Sequence, residues 1–293
     1  MKLRFYISRN IARLLSDKLY LSIKFHDRLG YWMNWNHPKT YNEKLQWLKL
    51  YNRRPEYTIM VDKVKVKDWV ADKIGKEYII PTLGVWKSAE DVDFEHLPNR
   101  FVIKCNHNSG TGMYLCGDKS KMDVLQVRKG LDEGLRENYV LQNREWPYKN
   151  VPRKILAEQF LNEPGKEAPD DYKVMCFDGK VQLIELHEGR FTENHTQAFY
   201  DRDWKMTSIT QGRYGKVATK MVERPTLLDE MIRLSEILAK DIPHVRVDWY
   251  IVNNHLYFGE MTFFDGSGFE PFDRFEDDQL LGSWITLPDY KIV

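Results

Sequence analysis

The chain reads as an α+β protein, with two sheet-and-helix lobes around a cleft and a helical extension at its N-terminal side. Three observations predict this class. Strand-like runs of β-branched and aromatic residues outnumber helical stretches between residues 78 and 264, which argues against a helix after every strand. Two pairs of these runs are joined by turn residues as hairpins, at Asp171–His187 and at Val245–Phe264. Helical spacing gathers instead before residue 54 and at 63–73, 121–141 and 226–240.

Composition bounds the rest. The 293 residues, 42% hydrophobic and 13% aromatic, can bury a core in one large or two moderate domains. The 44 basic and 43 acidic residues leave a net charge of +1, without the basic excess of a duplex-binding protein. Cys105, Cys116 and Cys176 form no CxxC pair and leave an odd number, which suits a reducing compartment and gives no zinc signature. No apolar run approaches the roughly 20 residues that cross a bilayer, and no signal pattern opens the chain, so a cytoplasmic location is expected. Residues 1–15 carry Lys2, Arg4, Arg9 and Arg13 among Leu3, Phe5, Ile7 and Ile11 with no acid. Such a helix can lie on the inner face of an anionic membrane, or pack on the domain with its basic side in water.

Taken in order, Tyr41, Leu45, Leu48 and Tyr51 mark a helix starting near Thr40 or Asn42. Trp32, Trp35 and Trp47 read as core or groove-lining residues. Asp62 opens a helix from Lys63 to about Lys73, with Val66, Trp69 and Val70 inward and Gly75 at its end. Tyr78–Ile80 before Pro81 and Gly84–Trp86 read as short strands, and Ala89–Leu97 as a loop or helical turn. Phe101–Cys105 and Met113–Cys116 read as strands, residues 121–141 as a helix, and Lys154–Leu161 as a strand. A Pro- and Gly-bearing linker, Asn162–Asp170, separates the sheets. Phe199–Trp204 is a further strand or loop, and Thr226–Lys240 a helix with Leu227, Met231, Leu234, Ile237 and Leu238 inward. The division expected is a helical extension over 1–60, a first lobe over 61–157 and a second over 158–293.

The chemistry concentrates in the last hairpin. Strand alternation puts Arg246, Asp248 and Tyr250 on one face and Val247, Trp249 and Ile251 on the other. A two-residue Asn253-Asn254 loop would set Val247 opposite Glu260; a three-residue loop, Asn253–His255, sets Asp248 opposite Glu260. The three-residue loop is predicted. Two facing carboxylates beside an arginine suit a divalent cation and anionic oxygens, the other reading being a solvated sheet face.

A second signal is the loop Asn106–Gly112, into which the strand ending Lys104-Cys105 empties. Small, donor-rich residues there bring backbone amides close to phosphate oxygens, with Lys104 beside them. The Walker pattern does not match, and the same residues also suit an ordinary hairpin turn. Lys173 shares a strand face with Met175, which points to a partner anion or to an exposed edge. His107 and His187 suit acid–base roles or, equally, structural histidines of a loop and a hairpin.

The order of these features resembles the ATP-grasp superfamily, and within it the TupA-type proteins of bacterial cell-surface polysaccharide clusters. The closer likeness also includes Thr40–Trp47, Asp62-Lys63, Phe258–Phe263 and Gly266-Ser267-Gly268. The resemblance implies an ATP-grasp fold, two lobes clasping a nucleotide, with ATP and Mg2+ as cofactors. Lys104 and Lys173 would hold phosphates under the loop Asn108, Ser109, Gly110, Thr111 and Gly112. Glu158, with the backbone of Gln159, Phe160 and Leu161, would take the adenine end. Asp248 and Glu260 would hold magnesium, and Arg246 would stabilise the transferred phosphoryl group. Thr262 stands where the family's Glu-x-Asn pattern has Asn, and a neutral hydroxyl is a weaker oxygen ligand.

The activity implied is ATP-dependent carboxylate–amine ligation through an acyl-phosphate. Its partners would be a small-molecule or glycan-precursor carboxylate, such as a uronic acid, and an amine, with no nucleic acid. Two alternatives stand beside it. One is a nucleotide-sugar glycosyltransferase using Asp201-Arg202-Asp203 on a metal; the other is a nucleotide-binding module without catalysis, which Thr262 would permit.

Overall fold

A four-stranded sheet from residues 82–159 and a six-stranded sheet from residues 171–262 organise the chain. The computed structural model describes residues 14–161, 168–190, 192–211 and 216–293. Of the predicted basic helix over 1–15, residues 1–13 lie outside the described residues, as do residues 162–167 of the predicted linker.

The smaller sheet contains β1 (Thr82–Trp86), β2 (Phe101–Cys105), β3 (Met113–Cys116) and β4 (Ile155–Gln159), in the antiparallel order β1-β4-β2-β3. Alternation does here what the sequence suggests. Phe101, Ile103 and Cys105 are buried while Val102 and Lys104 between them are half-buried on the other face. Ile103, Ile155 and Ala157 share a core with Val127 and Leu131 of a covering helix.

The larger sheet runs β10-β9-β5-β6-β7-β8. Its strands are β5 (Asp171–Phe177), β6 (Lys180–Glu188), β7 (Thr196–Asp201), β8 (Lys216–Val217), β9 (His244–Val252) and β10 (His255–Thr262). β7 and β8 are parallel and the other pairs antiparallel. The helices are α1 (Asp17–Leu29), α2 (Tyr41–Tyr51), α3 (Tyr57–Val61), α4 (Lys65–Ile74), α5 (Val124–Arg136), α6 (Val140–Asn143), α7 (Leu228–Leu238) and α8 (Phe275–Ser283).

Helix α7 covers one face of the larger sheet with Leu228, Met231, Leu234 and Leu238, and its Ser235 Oγ accepts a hydrogen bond from Trp249 Nε1 at 2.8 Å. Leu45 of α2, Tyr57 of α3 and Val70 of α4 join the same core. Helix α2 starts where expected because Thr40 and Glu43 form a capping box. Thr40 Oγ1 accepts from Glu43 N, and Glu43 Oε2 accepts from Thr40 N.

Several expectations change. Asp62 does not open the helix directly; its Oδ1 accepts from Val64 N at 3.0 Å and Asn106 Nδ2 at 2.7 Å, and α4 begins at Lys65. Tyr78–Ile80 is not a strand. Gly75, at φ +118°, turns the chain into a 3-10 turn at Lys76–Tyr78, and Ile79 makes only an isolated bridge to Phe258. The helix predicted over 121–141 breaks at Glu137 into α5 and α6. Ile237 is exposed rather than inward, on the outer side of α7. Trp204 lies beyond β7, in a turn at φ +65°.

Candidate active site

The register of the β9–β10 hairpin decides the site. His255 faces Val252, so the loop is Asn253-Asn254, with φ of 52° and 56°. That is a two-residue turn with both residues left-handed, not the predicted three-residue loop. Continued unbroken, this register would carry Glu260 to the core face. A bulge between Phe258 and Met261 gives β10 one extra residue, so that Met261 meets Val247 and Thr262 meets Arg246.

The physical reason lies in the core. The two-residue turn keeps Phe258 opposite Trp249, ring centroids 6.0 Å apart and edge to face, and a three-residue loop would break that pair. The bulge inverts the strand only beyond it and brings Glu260 to the face of Asp248. Gly259 stands at the bulge, where a Cβ would come 3.1 Å from the Asp248 carbonyl oxygen. The facing carboxylates are thus reached by a different device from the one predicted.

Arg246 cross-links this face. Its Nε and one terminal nitrogen donate to the two oxygens of Asp248 at 2.7 Å each. The guanidinium also reaches Asp265, Thr262 Oγ1 at 3.3 Å and Glu260 Oε1 at 3.7 Å. Lys173 Nζ lies 3.1 Å from Asp248 Oδ2 and 3.2 Å from Asp171 Oδ2. Lys63 Nζ lies 3.2 Å from Glu260 Oε2 and donates to the carbonyl of Asn108 at 3.0 Å.

Burial opposes charge on Arg246, Glu260 and Asp248, and its balance against the neighbouring charges differs among the three. For Arg246, burial is outweighed by Asp248 and Asp265, which keep the guanidinium charged. For Glu260, burial is outweighed by Lys63, Arg246, Lys173 and Lys104, which hold the carboxyl well below the usual range. For Asp248, burial wins and pushes the carboxyl up, against the pull of Arg246 and Lys173.

The smaller sheet supplies the opposite wall. Lys104 Nζ on β2 lies 2.5 Å from Glu158 Oε2 on β4, and Lys67 Nζ in the first turn of α4 lies 2.6 Å from Glu158 Oε1. The loop after β2 is anchored at its base by Asn106, which donates to Asp62 and to the Pro152 carbonyl and accepts from Lys154 N. A cavity of about 750 Å³ separates the two walls.

Among the loop residues singled out from sequence, Asn108, Ser109 and Gly110 line the cavity, and Thr111 and Gly112 do not. Gly112 packs on α5 instead: a Cβ there would sit 3.1 Å from Gly134 Cα. Glu158, Gln159, Phe160 and Leu161 all line the cavity, as do Lys104, Lys173, Arg246, Asp248, Glu260 and Thr262.

Lys63, Lys67 and Asp265 are the functional candidates the sequence reading passed over. Lys63 belongs to the Asp62-Lys63 pair already noted, and Asp265 immediately precedes Gly266-Ser267-Gly268. Lys67 carried no signal. Elsewhere, Asp201 Oδ1 accepts from Asp203 N and Lys205 N, closing a turn. His107 is buried, with Nε2 3.3 Å from the Glu137 carbonyl oxygen.

The donor set fits magnesium of one kind. Among the described residues no cluster of three or more His, Cys, Asp or Glu forms a closed cage. Asp248 and Glu260 on one face, with the Thr262 hydroxyl donating to Glu260 at 3.3 Å, suit a cation held by two carboxylates and completed by phosphate oxygens and water. No described helix is long and apolar enough to cross a membrane.

Comparison with known proteins adds the family. A family model described as TupA-like ATP-grasp matches residues 43–286. No curated protein matches the chain. Similar solved structures include D-alanine–D-alanine ligase from Helicobacter pylori, at 14% identity and TM-score 0.46, with 84% of this chain and 69% of that one covered. Another is the ADP complex of N5-carboxyaminoimidazole ribonucleotide synthetase, at 12% identity and TM-score 0.46, with 79% and 52% covered. A third is D-alanine–D-alanine ligase from Bacillus anthracis complexed with ATP, at 15% identity and TM-score 0.39, with 70% and 54% covered. The chain therefore spans only about half the length of the last two. With two sheets facing across a charged cavity and a family match over most of its length, the chain belongs to the TupA-like ATP-grasp family.

Proposed function

We propose that the protein is an ATP-dependent carboxylate–amine ligase that activates a uronic acid, or another glycan-precursor carboxylate of a cell-surface polysaccharide, as its acyl-phosphate. One arrangement supports the reading above all. Asp248 and Glu260 share a face with a charge-locked Arg246, across a cavity from Lys104 and Glu158. The choice of a glycan-precursor acid rests on family analogy.

The chemistry requires little covalent help from side chains. A carboxylate is a poor acyl donor because its leaving group would be oxide. Attack of its oxygen on the γ-phosphorus of ATP forms an acyl-phosphate and releases ADP, and the amine then attacks the acyl carbon and expels phosphate. Lys104 and Lys173 neutralise phosphate charge during the transfer. Because Lys67 also binds Glu158, Lys104 is not its sole counter-charge and can serve the nucleotide. Arg246, fixed by Asp248 and Asp265, meets the transferred phosphoryl group with a cation that needs no reorganisation. Magnesium held by Asp248 and Glu260 would supply further neutralisation of the phosphate oxygens.

Calorimetric titration with MgATP and with UDP-sugars, on the wild type and on an Asp248→Asn/Glu260→Gln double variant, tests the assignment. Magnesium-dependent ATP binding that weakens at least tenfold in the variant is the expected result. ATP binding unaffected by the substitutions would remove the site. UDP-sugar binding without ATP binding would favour the glycosyltransferase.

A further inference from the structure

On the β6–β7 side of the cavity stand three titratable groups that the nucleotide and metal assignments leave unused. Glu185 and His187 lie on β6, and His195 immediately precedes β7. His187 Nε2 is 2.7 Å from Glu185 Oε1, and His187 Nδ1 is 2.8 Å from His195 Nε2. Glu185 and His187 are 3% and 4% exposed, and all three residues line the cavity. Gln197 Nε2 donates to the same Glu185 oxygen.

The hydrogen-bond roles run in one direction. Burial opposes the charge of Glu185, but His187, Lys173 and Arg246 outweigh it and hold the carboxyl below the usual range. An ionised carboxylate only accepts, so His187 Nε2 donates to it, and in the neutral ring that leaves His187 Nδ1 as an acceptor. His195 Nε2 must then donate to His187. The lone pair of neutral His195 is left on Nδ1.

The surroundings favour that neutral form. Burial and the Arg190 charge lower the pKa of His195, while Asp171 on β5 and Glu185 oppose them. Arg190 is itself engaged with Asp171 Oδ2 at 2.5 Å, and Lys216 of β8 turns its ammonium to the Glu193 carbonyl. A base lining the cavity, backed by a buried carboxylate, fits a need of the proposed ligation. An amine substrate arrives as an ammonium ion and must lose a proton before it can attack.

We propose that His195 is the catalytic base that deprotonates the amine substrate, with His187 and Glu185 as positioning residues that receive the charge. The proposal rests on the ligase reading. His195 Nδ1 takes a proton from the ammonium, and the Nε2 proton of His195 passes to His187 Nδ1. This leaves imidazolium on His187 beside the Glu185 carboxylate. The freed nitrogen lone pair forms the C–N bond at the acyl carbon. The C–O bond to phosphate then breaks, its electron pair goes to the phosphate, and the second amine proton follows.

Two measurements test this. In 15N spectra of histidine-labelled protein, His195 should be protonated on Nε2 and bare on Nδ1; the opposite tautomer overturns the proposal whatever the assays give. The second measurement compares two acceptors, with ATP and a panel of uronic acids. Hydroxylamine is unprotonated at neutral pH and needs no base, whereas amino acids do. In His195→Gln the ratio of amide to hydroxamate formed should fall about 10²-fold or more at neutral pH, and recover as rising pH frees the amine. A ratio equal to that of the wild type would mark His195 as structural and defeat the base alone. Absence of hydroxamate with the wild type would defeat the ligase reading, and the base with it.

Discussion

The two walls of the cavity are held in place by different means. On the β9–β10 wall the charges position one another, since Arg246 reaches Asp248, Glu260, Thr262 and Asp265. On the β2–β3 wall the side-chain clips lie at the base of the loop, around Asn106, and at Asn108, while the surroundings of Gly110 are open. The first wall is a preformed electrostatic surface whose parts cannot be removed singly. The second is a fixed stem carrying a tip with room to adapt.

The largest expected effect comes from breaking the first wall. Arg246→Met leaves Asp248 and Asp265 buried without their main counter-charge. It should cost about 3–5 kcal/mol of stability, read as a lower midpoint in urea unfolding. A loss under about 1 kcal/mol would mean that the charges do not depend on one another.

A smaller effect should divide the second wall into stem and tip. Gly112 has φ +73° and its Cβ position is occupied by Cys105 Sγ at 2.9 Å and Gly134 Cα at 3.1 Å, whereas Gly110 has φ +91° and open space around it. Alanine at either position meets left-handed strain, of order 1–2 kcal/mol. Only at Gly112 is a clash with α5 added. Gly112→Ala should therefore melt measurably below Gly110→Ala, and equal melting temperatures would erase the distinction.

The smallest effect concerns pH. The folded-state pKa of Glu260 is depressed from its ordinary 4.5, so its contribution to stability is complete above that pH. It is lost as pH falls through the lower folded value. Unfolding midpoints followed from neutral pH down to about pH 3 should drop less steeply for Glu260→Gln than for the wild type. Parallel acid limbs would show that Lys63 and Arg246 do not favour its charged form.

What the sequence disclosed, and what it withheld, follow the same physical line. Phe101–Cys105 and the Asp171–His187 hairpin were readable because alternation and an Asp178-Gly179 turn are local signals. The start of α2, expected near Thr40 or Asn42, was readable for the same reason. The bulge at Gly259 was not, because a period of two records the pleat and says nothing of one added residue. Nor were the partnerships of Lys63 with Glu260 and Lys67 with Glu158, which depend on how α4 and its lead-in meet two different sheets. Gly112 was ambiguous for a related reason. Small residues in a loop look alike whether a ligand or a helix approaches them, and here Gly134 of α5 approaches.

The bulge gives the last hairpin an arithmetic of parity. Drawing His255 into the Asn253-Asn254 turn, or closing the bulge at Gly259 with every residue kept, would each exchange faces within β10. Made together, the two changes would restore Glu260 to Asp248 while displacing Phe258 from Trp249. The registers at the tip and at the bulge are therefore coupled, and a graft at the tip leaves the charged face unaltered only if it keeps Val252 opposite His255.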